Sequence, residues 1–195
     1  GCLDDIFNED EDGYNSIETG LTKQCINYDS KERCWLLLVP GNLTMTDSVP
    51  LVIDMHGIGG NMYLQHNLTR FANISEEYGV YIAYPQGYDN EWNMADDLCC
   101  GNDDDFGFIL EMIEVIKQQN LIDESRIYST GWSNGCGMTQ RLAIQGSEIF
   151  AAAACSSRYL LDGPSPNYSP IPFMEIHGLV DELVHYPSVS LVGFY

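Results

Sequence analysis

The heptapeptide GWSNGCG, residues 131–137, places Ser133 between two glycines in the pattern G-x-S-x-G. It follows a predicted strand and opens a predicted helix, which is the context in which the pattern carries catalytic meaning. A tight strand–serine–helix turn needs small neighbours, so that Gly131 and Gly135 can approach each other. The hydroxyl is then exposed, and the N-terminus of the new helix points at a developing anion. Ser133 is therefore predicted to be a nucleophile; the alternative is a plain helix N-cap serine.

A glycine-rich loop, HGIGG at residues 56–60, follows another predicted strand. Its glycines let backbone N–H groups point into a cavity. With the N–H of Asn134, they could bind the oxyanion of a tetrahedral intermediate; Ile58 is the first candidate for the second donor, and Gly59 is the next. His56 comes too early for the base of a triad in the order Ser…Asp…His, so we expect a structural role.

A third segment, HGLVD at residues 177–181, follows the last predicted strand. Position and order suit Asp181 as the acid that orients a catalytic imidazole. The alternative is an aspartate that caps its own loop. His177 leads this motif as His56 leads the other, and we again expect a structural role.

The elements that must position these segments alternate between strand and helix. Strands are predicted over 33–40, 50–57, 80–87, 126–131, 149–156 and 173–178. Helices are predicted over 64–78, from Asp104 or Asp105 to about 120, and over 134–146. Such alternation predicts an α/β fold with a mostly parallel sheet covered by helices. Ligands bind at the carboxyl ends of strands in such sheets, where all three segments lie.

Charge narrows the range of partners. The chain has 29 acidic and 8 basic residues, for a net charge of −21. Nucleic acid and anionic membranes would be repelled, which favours a neutral or polymeric substrate. Its apolar runs are far shorter than the ~20 residues that cross a bilayer.

Cysteines and glycosylation sequons indicate a secretory compartment, the alternative being a cytosolic protein with buried thiols. The seven cysteines are Cys2, Cys25, Cys34, Cys99, Cys100, Cys136 and Cys155, and they lack zinc-site spacing. The four N-x-[S/T] sequons begin at Asn42, Asn67, Asn73 and Asn167. We expect a disulfide between Cys25 and Cys34, and further disulfides that brace the site, with connectivity left open.

Taken in order, the segments LVIDMHGIGGN, AYPQG, WN…CCG…DDFGF, RIYSTGWSNGCGMTQRLA and IHGLVDELVHY carry a family resemblance. Over residues 33–187 the chain resembles the α/β-hydrolase family of feruloyl esterases, acetylxylan esterases and polyhydroxybutyrate depolymerases. The resemblance implies a secreted serine esterase without metal or cofactor, acting on esters of plant polysaccharides or on polyesters. It assigns Ser133 as nucleophile, Asp181 as acid and the HGIGG loop to the oxyanion hole. Cys136 stands where the family usually has a small residue, and His185 where relatives commonly have proline.

The base of the triad is the missing part. The family's histidine lies well downstream of the acid, whereas His185 is four positions from Asp181 on the same loop. A close sequence neighbour rarely bridges acid and serine, so we expect the base to be absent. The chain is therefore predicted to consist of an acidic irregular segment (1–30) and an α/β-hydrolase domain (31–195) that lacks its C-terminal strand and helix.

Two tryptophans are predicted to bind substrate, because an aromatic floor suits a phenolic or sugar ester. Trp92 begins a loop after the third predicted strand, and Trp132 precedes the serine; core packing is the alternative for both. The predicted function is a secreted esterase of the feruloyl or acetylxylan type, in truncated form. The alternatives are a polyhydroxyalkanoate depolymerase and a non-catalytic remnant that binds glycan or protein.

Overall fold

All six segments predicted as strands form strands in one sheet. The computed structural model describes residues 20–41, 48–94, 100–158 and 168–186. Its strands are β1 (Leu21–Tyr28), β2 (Lys31–Leu38), β3 (Val49–Met55), β4 (Tyr81–Pro85), β5 (Ile122–Trp132), β6 (Ala152–Ser156) and β7 (Phe173–Ile176). Its helices are α1 (Met62–Thr69), α2 (Ala72–Tyr78), α3 (Asp105–Gln119) and α4 (Asn134–Gln145), with a 3-10 turn at Tyr88–Asn90.

The sheet has the order β1-β2-β4-β3-β5-β6-β7. Strands β4, β3, β5, β6 and β7 pair in parallel, whereas β1, β2 and β4 pair antiparallel. The prediction of a mostly parallel α/β sheet is confirmed. Because parallel strands end at the same edge, the loops after β3, β5, β6 and β7 meet there.

Apolar residues cover both faces of the sheet, as the uninterrupted apolar runs require. On β2, Trp35 and Leu37 face the large core formed with α3 and α4, while Leu36 and Leu38 face a smaller cluster under α1. The predicted apolar face of α3 is buried, with Ile109, Met112, Ile113 and Ile116 each at most 2% exposed. Among the described residues, no helix combines the length and apolar character needed to cross a bilayer.

Strand β1 was not expected, because the sequence analysis assigns residues 21–28 to the irregular segment. The strand pairs along its whole length with β2 and alternates polar and half-buried residues at the edge of the sheet. The disulfide expected between Cys25 and Cys34 joins these two strands. Too few apolar residues point inward for the sequence alone to reveal an edge strand of this kind.

The helix predicted over 64–78 is two helices, because the chain turns at Arg70, whose φ is +53°. The first helix begins at Met62, two residues earlier than predicted. The side chain of Asn61 accepts hydrogen bonds from the amides of Tyr63 and Leu64 and so caps it. Gln65 and Thr69 of α1 donate to Asp54 in β3, and Gln65 accepts from Trp132 at the end of β5.

Candidate active site

The turn between β5 and α4 has the strained geometry that the serine pattern predicts. Ser133 lies at φ +53° and ψ −122°, a region that residues with side chains rarely occupy. Its hydroxyl makes no capping hydrogen bond to α4, in contrast to the N-cap alternative. Its N–H donates to the carbonyl of Ser156 at 2.8 Å, which ties the turn to the end of β6.

The glycines on each side of the serine are required by close backbone contacts. A Cβ at Gly135 would lie 2.3 Å from the carbonyl oxygen of Met55 and 2.5 Å from that of His56. A Cβ at Gly131 would lie 2.6 Å from the carbonyl oxygen of Gly135. The two glycines therefore let α4 approach both β5 and the end of β3.

A disulfide fixes the first turn of α4 to the neighbouring strand. Cys136, three residues after the serine, is bonded to Cys155 in β6, and both are buried. This is the connectivity that the sequence left open for these two cysteines. Cys100 is also disulfide-bonded, whereas Cys2 and Cys99 lie outside the described residues.

Asn134 is buried at the start of α4 and holds the loop that carries Trp92. Its side-chain oxygen accepts from the N–H of Trp92 at 2.7 Å, and its side-chain nitrogen donates to the carbonyl of Trp92 at 3.0 Å. The backbone N–H of Asn134 opens the helix and has no acceptor within it, because the first N–H groups of a helix lack intrahelical partners. That N–H is one of the predicted oxyanion donors.

Trp92 is buried, which does not favour its predicted contact with substrate. The ring is fully buried in the core, and its indole N–H donates to the carbonyl of His56 at 2.9 Å. The alternative considered for this residue, core packing, is the one that the structure supports. Trp92 instead connects the glycine-rich loop to Asn134.

His56 is buried against Trp92, with 5.0 Å between the ring centroids. Its Nε2 accepts from the N–H of Gly87 at 3.0 Å, and its Nδ1 lies 2.7 Å from the carbonyl of Gly57. Burial lowers the pKa of His56 to about 4. The imidazole is therefore neutral, and its hydrogen bonds hold the loop in place, in line with the structural role expected from the sequence.

The two candidates for the second oxyanion donor differ in this loop. The N–H of Gly59 donates to the carbonyl of Asn90 at 2.8 Å, so it is occupied in this conformation. Among the described residues, the N–H of Ile58 has no acceptor, and its side chain is 54% exposed. The geometry therefore favours the first candidate, Ile58, over the second.

A cavity of about 320 Å³ lies beside the serine turn. Its lining residues are Asp54, Gln65, Leu68, Thr69, Thr130, Gly131, Trp132 and Ser156. Trp132 is 41% exposed, which is compatible with its predicted contact with substrate. Ser133 itself is not part of the lining, so the cavity flanks the turn.

Asp54 is a buried carboxylate of this cavity that the sequence analysis does not identify. Hydrogen bonds from Gln65 at 2.6 Å and Thr69 at 2.8 Å satisfy its two oxygens. Burial raises the pKa of Asp54 to about 6, against the lowering effect of those bonds. One signal could have found it: a single acidic residue in the apolar strand sequence VPLVIDM, where burial of a charge needs a reason.

Asp181 lies on the loop after β7, two strands along the sheet from the serine. One carboxylate oxygen accepts from the amides of Leu183 and Val184, each at 2.9 Å. These bonds lower the pKa of Asp181. The residue does cap its own loop, and its second oxygen remains at the surface, 3.6 Å from Nε2 of His177.

The chain's four histidines all lie within the described residues. His177 has an acceptor at each ring nitrogen: Glu175 at 2.8 Å and the carbonyl of Val184 at 2.7 Å. Burial opposes its protonation, but these bonds and the nearby carboxylates raise the pKa of His177. His66 packs edge-on against Tyr84, and His185 is exposed. The geometry of this loop suits a structural role for His177.

Comparison with known proteins places these features in a family. A family model described as "Esterase PHB depolymerase" matches residues 34–184. Feruloyl esterase B of Piromyces equi is 28% identical over 156 residues, covering 75% of this chain and 29% of that protein. A probable feruloyl esterase C of Aspergillus flavus is 25% identical over 182 residues, covering 88% of this chain and 64% of that protein. A bifunctional acetylxylan esterase/xylanase of Neocallimastix patriciarum is 26% identical over 154 residues, covering 77% of this chain and 22% of that protein.

Solved structures show the same fold. A thermostable esterase matches with a TM-score of 0.70 at 22% identity, over 86% of this chain and 48% of that one. An acetyl xylan esterase from Aspergillus awamori matches with a TM-score of 0.65 at 21% identity, over 84% and 74%. The chain spans between 22% and 64% of the length of the three curated relatives above. With the family model covering most of its length, the chain belongs to the family described as "Esterase PHB depolymerase".

Proposed function

We propose that this chain carries the nucleophile and oxyanion hole of a serine esterase that cleaves feruloyl or acetyl esters of plant polysaccharides. One observation carries the proposal: Ser133 is held at φ +53° with a hydroxyl that makes no capping bond. Strained backbone of this kind persists where the surrounding structure enforces it, and it clusters at active sites. The N–H groups of Ile58 and Asn134 supply the oxyanion donors.

In the proposed reaction, the Oγ of Ser133 attacks the ester carbonyl carbon. The oxyanion that forms is bound by the two N–H groups, which stabilise it most strongly in the transition state. The bond to the alcohol oxygen then breaks, and the alcohol leaves with the proton taken from Oγ. Water hydrolyses the acyl-enzyme in the second half. Asp181 is proposed to orient the imidazole that moves these protons.

The proposed imidazole comes from polypeptide beyond the 195 residues of this sequence. The nitrogens of His56 are committed to Gly57 and Gly87, and those of His177 to Glu175 and Val184. His185 shares the loop of Asp181, which leaves little span for one ring to reach both acid and serine. The short coverage of the relatives supports the same reading.

For the ester itself, the names of the relatives support feruloyl and acetyl groups on plant polysaccharide. A half-exposed Trp132 beside the cavity suits an aromatic or sugar ring. Polyester depolymerisation is the second candidate, supported by the description of the family model. A net charge of −21 argues against nucleic acid and anionic membranes as partners of this chain.

We also propose that the protein is secreted. Two disulfides join the described residues, Cys25–Cys34 and Cys136–Cys155, and such bonds persist in oxidising compartments. Two of the four sequons begin at exposed positions, Asn67 and Asn73, where a glycan would meet solvent. The sequons at Asn42 and Asn167 lie outside the described residues.

The test compares this chain with a longer one from the same transcript, each with a Ser133→Ala control. We expect the longer chain to hydrolyse methyl ferulate or acetylated xylan faster than a polyhydroxybutyrate film. The shorter chain should retain at most roughly 10³–10⁴-fold catalysis over water, from the oxyanion hole and binding alone. A burst of p-nitrophenol from the shorter chain that disappears in Ser133→Ala would contradict the placement of the base.

One observation favours a non-catalytic role in binding glycan or protein: none of the four histidines has an environment that suits the base of a triad. If the role is non-catalytic, the longer chain should also lack esterase activity. Binding of xylan oligosaccharides by the longer chain, without turnover and without covalent labelling of Ser133, would support it.

A further inference from the structure

A chain of polar contacts runs from Asp54, buried under α1, to the two loops that form the proposed oxyanion hole. Asp54 accepts from Nε2 of Gln65 at 2.6 Å, and Oε1 of Gln65 accepts from the indole N–H of Trp132 at 3.1 Å. The indole ring in turn lies against Gly57: a Cβ there would be 3.0 Å from two ring atoms. Trp132 thus contacts Gly57, the neighbour of Ile58 in the chain, and itself directly precedes Ser133.

We propose that Gln65 is a positioning residue: held by the ionised carboxylate of Asp54, it fixes the indole of Trp132 against Gly57 and so sets the spacing of the oxyanion donors at Ile58 and Asn134. The proposal rests on the proposed function for its catalytic meaning. Its geometry concerns only hydrogen bonds between described residues, so it can be tested without turnover.

The charge of Asp54 decides which way the amide of Gln65 points. An ionised carboxylate only accepts hydrogen bonds, so the amide must present its NH₂ to Asp54 and its carbonyl to Trp132. A protonated carboxyl can donate to the amide carbonyl instead. The amide then turns its NH₂ toward the indole N–H, two donors face each other, and the hold on the ring is lost.

Few titratable groups surround this carboxyl. Thr69 from α1 and Thr130 from β5, which pairs with Asp54 across the sheet, are neutral. His66, also on α1, packs on Tyr84 of β4, with 5.1 Å between the ring centroids. Burial alone raises the pKa of Asp54, to about 6, and no charged group among the described residues contributes.

The arrangement also explains the residue types. Gly57 leaves room for the ring, since a Cβ there would force the indole of Trp132 to shift by a few tenths of an ångström. Gln65 is 2% exposed, although glutamine is rarely buried without a specific partner. Both ends of its amide are used, one for each neighbour.

The experiment is an NMR titration of the indole N–H resonances of the ¹⁵N-labelled chain between pH 4.5 and 8. We expect the Trp132 resonance, identified by its loss in Trp132→Phe, to titrate with a midpoint near the pKa of Asp54. Asp54→Asn and Gln65→Met should abolish that titration. Trp92, whose indole N–H donates to the carbonyl of His56, is the internal control and should not share the midpoint of Asp54.

Thr69→Val is the matched control variant. It removes one hydrogen bond from the same carboxylate but leaves Gln65 intact. The midpoint should move upward, because the ionised form loses a donor, while the amplitude of the titration is retained. A Trp132 resonance that is independent of pH in the wild-type chain, or unchanged in Asp54→Asn, would overturn the proposal.

A second measurement addresses positioning in the proposed reaction. In a longer, active chain, Gln65→Met should lower kcat by about 10- to 100-fold with a smaller change in KM, since the oxyanion donors act on the transition state. An unchanged kcat together with an abolished titration would reject the positioning role while leaving the proposed esterase intact. Inactivity of the wild-type longer chain would reject the proposed function, whatever the titration shows.

Discussion

The serine side and the acid side of the proposed active site are built very differently. The serine side lies in the middle of the sheet, where Gly131 and Asn134 are buried and a disulfide joins α4 to β6. The acid side lies at the end of the sheet formed by the described residues. There β7 has four residues, and Leu179, Val180 and Leu183 are each more than 80% exposed.

The strained backbone of Ser133 and the polar side chain of Asp181 depend on different kinds of support. The backbone angles of Ser133 cost free energy and persist only because packed neighbours enforce them. Asp181 needs no such support, since two amides of its own loop hold its carboxylate. Among the described residues, the acid side exposes apolar side chains, whereas the backbone around the serine is buried.

Adding a single methyl group should reveal the largest contrast between the sides. Gly135→Ala drives a Cβ into two carbonyl oxygens of the β3 end, so we expect a loss of at least about 3 kcal/mol in the free energy of unfolding. Gly178→Ala meets nothing closer than 3.9 Å, so its cost should be within about 0.5 kcal/mol. Chemical denaturation of both variants gives the comparison; equal losses would contradict it.

Removing the disulfide on the serine side comes next in size. Cys136→Ala/Cys155→Ala should lower the free energy of unfolding by about 3 kcal/mol, as expected for a bond that closes a loop of 19 residues. The matched control is Cys25→Ala/Cys34→Ala, which removes the disulfide between β1 and β2 at the other end of the sheet. Both pairs should destabilise the chain, but only the first should slow covalent labelling of Ser133. Slower labelling in the control pair would contradict a local effect.

Protonation should distinguish the two sides as well. His56 has a lowered pKa of about 4, so between pH 6.5 and 4 the unfolded chain takes up a proton that the folded chain does not, and the contribution of His56 to stability falls as the pH falls. His177 has a raised pKa, so its contribution is fully present below pH 6.5 and is lost as the pH rises through the folded value. A titration of the histidine ring resonances from pH 4 to 9 should show His56 losing its proton at a lower pH than His177. Loss of the proton from His177 at a lower pH than from His56 would contradict the environments described for both rings.

The smallest effect on global stability is expected at the proposed acid. Asp181→Ala removes the cap of a short loop at the end of the described sheet, so hydrogen exchange at Leu183 and Val184 should accelerate while the global unfolding transition stays within the spread of surface substitutions. In a longer, active chain, Asp181→Asn should lower kcat by about 10⁴-fold, as loss of a triad acid does. Unchanged turnover would leave Asp181 with the loop-capping role alone.

Most of the fold could be predicted from sequence patterns, because the interior strands of the sheet are apolar runs bounded by turns. They missed β1, whose alternating polar residues pair only at an edge, and the break at Arg70, where a positive φ interrupts an otherwise helical pattern. Each difference comes from tertiary contacts that local periodicity does not encode.

The site shows the same division. The serine turn could be predicted because its glycines are a steric necessity visible in five residues. The burial of Trp92 and the use of the Gly59 N–H by Asn90 could not, because both depend on contacts between segments that are distant in sequence. Asp54 could have been found only as a charge in an apolar strand, and its contact with Gln65 depends on the position of α1.

Covalent labelling of the 195-residue chain with a fluorophosphonate, mapped by peptide mass spectrometry, tests the central claim most directly. We predict a single adduct at Ser133 that forms slowly in buffer, forms faster when imidazole is added as an external base, and is absent in Ser133→Ala. No adduct at Ser133 with or without imidazole would contradict the assignment of the nucleophile. Rapid labelling without imidazole that is lost in His185→Gln would show instead that this chain carries its own base.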